Sequence, residues 1–200
     1  MNIIHFVAVL SNLRGLENQA ILQLNYQDKN YNDSQLWTFS LPKNIKRINY
    51  KITKQIIFSF LKPKIFFGSF FIILNTFFIK KKTCIHIHGL SEYILPFVLV
   101  KLFNRNLTLV VKISNSGKKS TFKKLKKKYL IFGRILNLIA VKYIDKWIYI
   151  NDEIKQELIE KGVKPSKIFS VPNGVEIDLS LLNCKKQFSN SICWVGSLVK

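Results

Sequence analysis

Negative charge is what this chain has least of. Eleven Asp and Glu stand against 32 Lys and Arg, giving a formal net charge of +21 and a pI near 10.0. An excess of that size points to partners of negative sign: nucleic acid, anionic lipid or phosphorylated substrates. It also follows from a composition heavy in Lys, Ile, Asn and Phe, as an AT-rich genome produces, so charge alone leaves both readings open. Cysteine is nearly absent. Cys84, Cys184 and Cys193 are odd in number and lack Cys-x-x-Cys or Cys/His spacing, which argues against a disulfide framework and a zinc site and makes a reducing cytoplasm the default. Long apolar runs are missing as well. The most membrane-like stretch, Ile65–Ile79, lies between Lys64 and Lys80-Lys81-Lys82 and is broken by Gly68, Ser69 and Asn75. It falls short of the roughly 20 residues a spanning helix needs and reads as a buried helix. Met1–Leu10 has neither a basic start nor a small-residue cleavage pattern, so no secretory signal is expected. There is no internal repeat.

What is present fits one ordinary domain, 200 residues with 48% hydrophobic content. The most informative stretch is Lys146–Glu176. Trp147–Ile150 is a short aromatic and branched run suited to a buried strand. Asn151 is placed to accept from the free amides of a following helix, and Asp152 and Glu153 sit in its first turn, where negative charge is favoured. Ile154 and Leu158 share a face, and Lys161-Gly162 closes the helix with Pro165 just beyond. Lys167–Val171 reads as a second strand, and Pro172-Asn173-Gly174 as a turn using the positive φ that Asn and Gly tolerate. Strand, short helix, strand argues for a parallel sheet covered by helices.

The same alternation runs through the chain. Strands are expected at Ile3–Leu10, Gln35–Phe39, Cys84–His88 and Leu107–Ile113. Helices are expected after Gly15 (with Leu16, Ala20, Ile21 and Leu24 on one face), over Ile65–Ile79, from Ser91 and Glu92 through Leu102, and over Thr121–Tyr143. In the last of these Leu125, Tyr129, Phe132, Leu136, Ile139 and Tyr143 form one continuous apolar face. Asn44–Lys64 has no clear period.

His86 and His88 lie two apart on a strand and so share a face, at the carboxyl end where α/β folds place ligands. They read as cleft-lining residues or as satisfied structural histidines. A metal is not expected, because no third His, Cys or carboxylate has ligand spacing nearby. Ser114–Ser120 lacks the first glycine of a Walker loop, which excludes a nucleoside triphosphatase of that type. Lys118–Lys128 holds seven lysines, either a solvated face or a basic amphipathic surface for anionic headgroups. Nucleic acid is disfavoured, since no RNP-like aromatic pattern, zinc finger or helix-turn-helix accompanies the charge.

In order and spacing, the strand ending at Asn151-Asp152, the short helix, and Val171-Pro172-Asn173-Gly174-Val175-Glu176-Ile177-Asp178 resemble the retaining glycosyltransferases of family 4, which have the GT-B fold. Gly15-Leu16-Glu17 is similar to that family's Gly-Gly-x-Glu, with one glycine kept. His86-Ile87-His88-Gly89 resembles its cleft-lining His-x-His-Gly, and Lys112-Ile113-Ser114-Asn115-Ser116-Gly117 a loop found in a subset. Trp194-Val195-Gly196-Ser197-Leu198 resembles the opening strand and phosphate turn of the C-terminal domain, with Ser197 where arginine is common.

The resemblance implies an α/β, Rossmann-like parallel sheet with helices on both faces, the N-terminal half of a GT-B fold. Residues 1–186 would be the acceptor-side domain, and 187–200 a linker and first strand of a truncated donor-binding domain. The implied activity is sugar transfer from a nucleotide-sugar to a glycan or lipid-linked acceptor in surface polysaccharide or glycolipid synthesis, without a cofactor. Gly15, Glu17, His86, His88, Ser114, Ser116 and Gly117 would line the acceptor side. Asn173 and Gly174 would form the interdomain turn, and Gly196 and Ser197 a remnant of the donor-phosphate turn. The family's Glu-x7-Glu motif has no counterpart, so no catalytic residue is assigned. The chain alone is expected to be inactive, a fragment or one half of a split enzyme whose C-terminal half is separate. Lys123, Lys124, Lys127 and Lys128 would face an anionic membrane, placing a cytoplasmic protein on the membrane's inner face. The alternative is a non-catalytic basic module that docks on anionic membrane or nucleic acid.

Overall fold

The computed structural model describes residues 2–8, 15–31, 34–39, 55–57, 65–117 and 120–174. Seven parallel strands form one sheet in the order β3-β2-β1-β4-β5-β6-β7. They are β1 (Asn2–Val7), β2 (Ser34–Thr38), β3 (Gln55–Ile57), β4 (Thr83–His88), β5 (Leu107–Lys112), β6 (Lys146–Tyr149) and β7 (Ile168–Ser170). Between them run α1 (Gly15–Tyr31), α2 (Ile65–Phe77), α3 (Ile94–Phe103), α4 (Thr121–Tyr143) and α5 (Asp152–Glu160). This is the Rossmann-like α/β sheet expected. β3 supplies a strand within the stretch that had no readable period.

Strand alternation divides the side chains between two layers. On one face Phe6 packs edge-on against Phe97 of α3 at 5.0 Å between ring centres, and Trp147 stacks on Phe122 of α4 at 5.8 Å. Ile85, Ile87 and Val111 complete that core, all at most 1% exposed, and each such side chain contributes about 2 kcal/mol by leaving water. The other face carries His5, His86, His88 and Lys112, and α1 lies over it through the contact of Gln27 with His5.

Several local expectations hold at atomic detail. Asn151 Oδ1 accepts from the Ile154 amide at 3.0 Å, Ile154 and Leu158 are buried, and Gly162 ends α5 at φ 86°. Three do not hold. Asn173 and Gly174 have no positive φ; residues 171–174 leave β7 without a turn, and Gln19 of α1 donates to the Gly174 carbonyl at 2.5 Å. α3 starts at Ile94, because the Ser91 and Glu92 carbonyls close a separate turn onto Ile94 and Leu95. And α4 is not one straight helix.

At Leu130 the backbone of α4 leaves the helical region (φ 46°, ψ −115°). Asn137 donates to the Phe122 carbonyl at 3.2 Å, although fifteen residues of straight helix would separate them by about 22 Å. A Cβ on Gly133 would stand 2.2 Å from the Leu125 carbonyl oxygen, so only glycine allows this approach. Residues 121–129 and 131–143 therefore fold back on each other. Phe122, Leu125, Gly133, Leu136 and Ala140 are buried, whereas Phe132, placed on the apolar face by its spacing, is exposed. Among the described residues no helix is long and apolar enough to cross a membrane.

Candidate functional site at the carboxyl edge of the sheet

β1 leads outward to β2 and β3, whereas β4 leads the other way to β5, β6 and β7. The carboxyl ends of β1 and β4 thus flank the reversal of strand order, where open α/β sheets hold ligands. All three histidines of the chain converge beside that point. Register sets His5 opposite His86, and His88 opposite Lys112. Ring centres are 5.2 Å apart for His5 and His86, 5.3 Å for His5 and His88, and 4.3 Å for His86 and His88.

Hydrogen bonding orders one side of the cluster. His5 Nε2 meets Gln27 Oε1 at 2.6 Å and His5 Nδ1 meets His88 Nε2 at 3.0 Å. Gln27 Oε1 can only accept, so His5 carries its proton on Nε2 and the His88 Nε2–H donates to His5 Nδ1. On the other side, His88 Nδ1, His86 Nε2 and Lys112 Nζ are buried with no hydrogen-bond partner among the described residues. Burial lowers the His5 pKa; burial, then the neighbouring His5 and Lys112, takes His86 down to about 3; and burial, then the neighbouring His86, His5 and Lys112, takes His88 well below the usual imidazole range. Burial also lowers the Lys112 pKa. These are groups held neutral, or charged at a cost, in a site that lacks a counterion among the described residues.

The strand pairing corrects the premise that no third ligand stands near His86 and His88. His5 does, with the three ligand nitrogens within 4.8 Å of one another, the one group of this kind among the described residues. Lys112 beside it opposes a cation, and no carboxylate joins the group. Sequence reading missed His5, Gln27 and Lys112. The available signal was a lone histidine inside the apolar run of β1.

The other expected site residues lie around the same edge but are not gathered into this cluster. Gly15 opens α1 without a positive φ and with no atom within 4 Å of where a Cβ would be, so the local backbone does not require a glycine. Glu17 lies half-buried in the first turn of α1. Ser114 follows β5 and accepts weakly from Asn115 at 3.5 Å. Ser116 donates to Glu153 of α5 at 2.7 Å, and Gly117, at φ 61°, lies where a Cβ would press on the same carboxylate at 2.9 Å. Ser120 donates to Glu157. Much of the loop is therefore fastened to α5. Gly174 is tied to α1 and Asn173 beside it is exposed. Gly196 and Ser197, like Cys184, Cys193 and the whole of 187–200, lie outside the described residues. Cys84 is free, and burial pushes its thiol up to about 11, away from nucleophilic use.

A second feature stands on the α4 hairpin. Lys123, Lys124, Lys127 and Lys128 are all exposed, and Lys128 pairs with Glu92 at 2.8 Å. That hydrogen bond raises the Lys128 pKa. Burial pushes Glu92 up, but the bond from Lys128 more than offsets it, leaving its carboxyl below the usual range. Lys123, Lys126, Arg134 and Lys161, with Phe122, Asn137, Leu138 and Val141, line an open cavity of about 440 Å³. Leu130 and Ile131 at the bend are each 73% exposed, with Phe132, Ile135 and Leu138 beside them.

No protein-family model matches the chain, and no curated protein does. Solved structures do match. The chain is similar to HepE of Anabaena in complex with UDP and glucose, with a TM-score of 0.59 and 11% identity over 88% of this chain and 45% of that one. For the same protein in complex with UDP-glucose the TM-score is 0.59, with 9% identity, 88% of this chain and 44% of that one. A UDP-N-acetylglucosamine 2-epimerase gives 0.57 and 11% identity over 86% of this chain and 48% of that one. Likeness at such identity shows a shared fold: a GT-B-like, Rossmann-type α/β domain. The chain spans less than half the length of each of these proteins.

Proposed function

We propose that the chain is the acceptor-side half of a GT-B glycosyltransferase, similar to family 4, that uses a nucleotide-sugar donor. The observation that carries this reading is the polar cluster of His5, His86, His88 and Lys112 beside the reversal of strand order. Support comes from the solved neighbours, two of which hold UDP with glucose or UDP-glucose. The acceptor is a glycan or lipid-linked saccharide; His86, His88 and Ser114 face it, and Gly15 leaves room above α1. Donor contacts and the catalytic group belong to a second domain, so the 200-residue chain alone is inactive. The test begins with the nucleotide sequence after the Lys200 codon. An in-frame or frameshifted domain with Glu-x7-Glu, whose addition confers transfer from a nucleotide-sugar, supports the reading. Full turnover by the isolated chain, or no activity with such a domain added, overturns it.

A membrane-docking role for the α4 hairpin is favoured by a separate observation, the apolar bend at Leu130 and Ile131 with the exposed Lys124 and Lys127 on the preceding segment. Apolar side chains at such a bend enter the headgroup boundary while lysines meet anionic lipid. Co-sedimentation with phosphatidylglycerol vesicles, lost in high salt and in Leu130→Glu/Ile131→Glu, supports it; equal binding to phosphatidylcholine vesicles overturns it.

A further inference from the structure

The histidine cluster has an unfinished side. Lys112 is 2% exposed at the last position of β5, and His88 is the last residue of β4, so both stand at the carboxyl edge. Lys112 Nζ, His86 Nε2 and His88 Nδ1 are each buried without a hydrogen-bond partner among the described residues. An ammonium can only donate. His86 Nε2 donates in one tautomer, whereas His88, whose Nε2–H is given to His5, donates from Nδ1 only as the imidazolium that a bound anion stabilises. A buried ammonium left without an acceptor is among the costlier arrangements a protein can hold, so the missing group is an acceptor. One that satisfies a lysine and two imidazoles together presents more than one oxygen and carries negative charge. A divalent cation meets the three imidazoles but also the Lys112 ammonium, with no carboxylate in the group to balance it.

We propose that Lys112, His86 and His88 form an oxyanion pocket that receives the acidic group, a carboxylate or a phosphate ester, of the acceptor saccharide. The identity of the ligand rests on the acceptor-side reading above; the pocket itself rests on its own atoms. His5 and Gln27 are positioning residues, since the bonds from Gln27 through His5 fix the ring of His88.

The test is an NMR titration of the 200-residue chain, with isotope-labelled histidine, against inorganic phosphate, glucuronate and a sugar phosphate, with glucose as the neutral control. Saturable shifts of the His86 and His88 resonances with the anions and not with glucose are expected. Preference for glucuronate assigns a carboxylate, and preference for the sugar phosphate a phosphate ester. Lys112→Met removes the buried charge without adding a polar group. It should raise the melting temperature of the free protein while weakening anion binding about tenfold or more. The absence of saturable shifts, shifts unchanged in Lys112→Met, or shifts produced by zinc instead of anions each overturn the proposal. Anion binding without transfer by the completed enzyme would sink the acceptor-side reading and leave the pocket standing. Transfer to neutral acceptors only, with no anion binding, would do the reverse.

Discussion

Lys112 and Lys124 are the same side chain in opposite circumstances. Lys112 is buried at the end of β5 among three histidines, without a partner among the described residues; Lys124 is exposed on α4 among other lysines. An exposed ammonium is hydrated and screened and adds little to stability, so a surface lysine run carries no message beyond its field. A buried one must be compensated or endured. The two regions therefore teach that the +21 formal charge is not one quantity. Charge on the hairpin fits both a membrane surface and a biased composition, whereas composition alone does not account for a cation inside the sheet layer.

Acid breaks the comparison most sharply. The three histidines have pKa values in the fold below 6.5, with His86 down at about 3. Below about pH 6.5 the unfolded chain binds protons that the folded one refuses, so stability falls as pH drops from 6.5 toward 3. His86 contributes a slope of about 1 kcal/mol per pH unit, and His5 and His88 add to it in the same direction. The facing groups are Lys112, which adds to the repulsion, and Gln27, which is neutral. Melting temperatures measured from pH 7 to pH 5 should fall, with His86 alone accounting for about 2 kcal/mol. His86→Asn should flatten that dependence measurably, removing the His86 contribution. A flat profile over this range would mean that the histidines are solvated.

The next effect belongs to the hairpin. Gly133→Ala drives a methyl group into the Leu125 carbonyl and should cost about 3 kcal/mol or more, read as the midpoint shift in urea. Gly15→Ala meets nothing and should be neutral or stabilising by about 0.5 kcal/mol. Equal effects at the two glycines would mean that residues 121–129 and 131–143 do not fold back on each other.

That contrast also marks how far the sequence could be read. α5 was legible because its determinants are local: a capping Asn151, acids in the first turn, Gly162 at the end. The extent of α4 was legible for the same reason, and its spacing of apolar residues fits a helix on either side of Leu130. Its bend was not, since nothing local distinguishes a straight helix from two segments packed through Gly133. The site follows the same rule. His86 and His88 share a face by strand alternation alone, whereas His5 and Lys112 join them only through the pairing of β4 with β1 and β5, a matter of register between segments far apart in sequence. Residues 171–174 show the converse: Asn173-Gly174 has the local signature of a turn, yet the chain passes through without one, tied by Gly174 to α1.

The smallest effects refine the hairpin itself. Lys128 pairs with Glu92, which also accepts from Tyr129 at 3.1 Å, whereas Lys124 points to solvent. The Lys128 side chain is 58% exposed, so water screens the pair, and Lys128→Ala should cost only about 0.5 kcal/mol. Lys124→Ala should leave the melting temperature unchanged. On phosphatidylglycerol vesicles the order should reverse: Lys124→Ala weakens binding, because a free lysine near the surface supplies part of the attraction, and Lys128→Ala leaves it intact, because its charge is already matched by Glu92. Were both substitutions to weaken vesicle binding equally, the surface would be responding to net charge alone, and the apolar bend at Leu130 and Ile131 would have no part in orienting the domain.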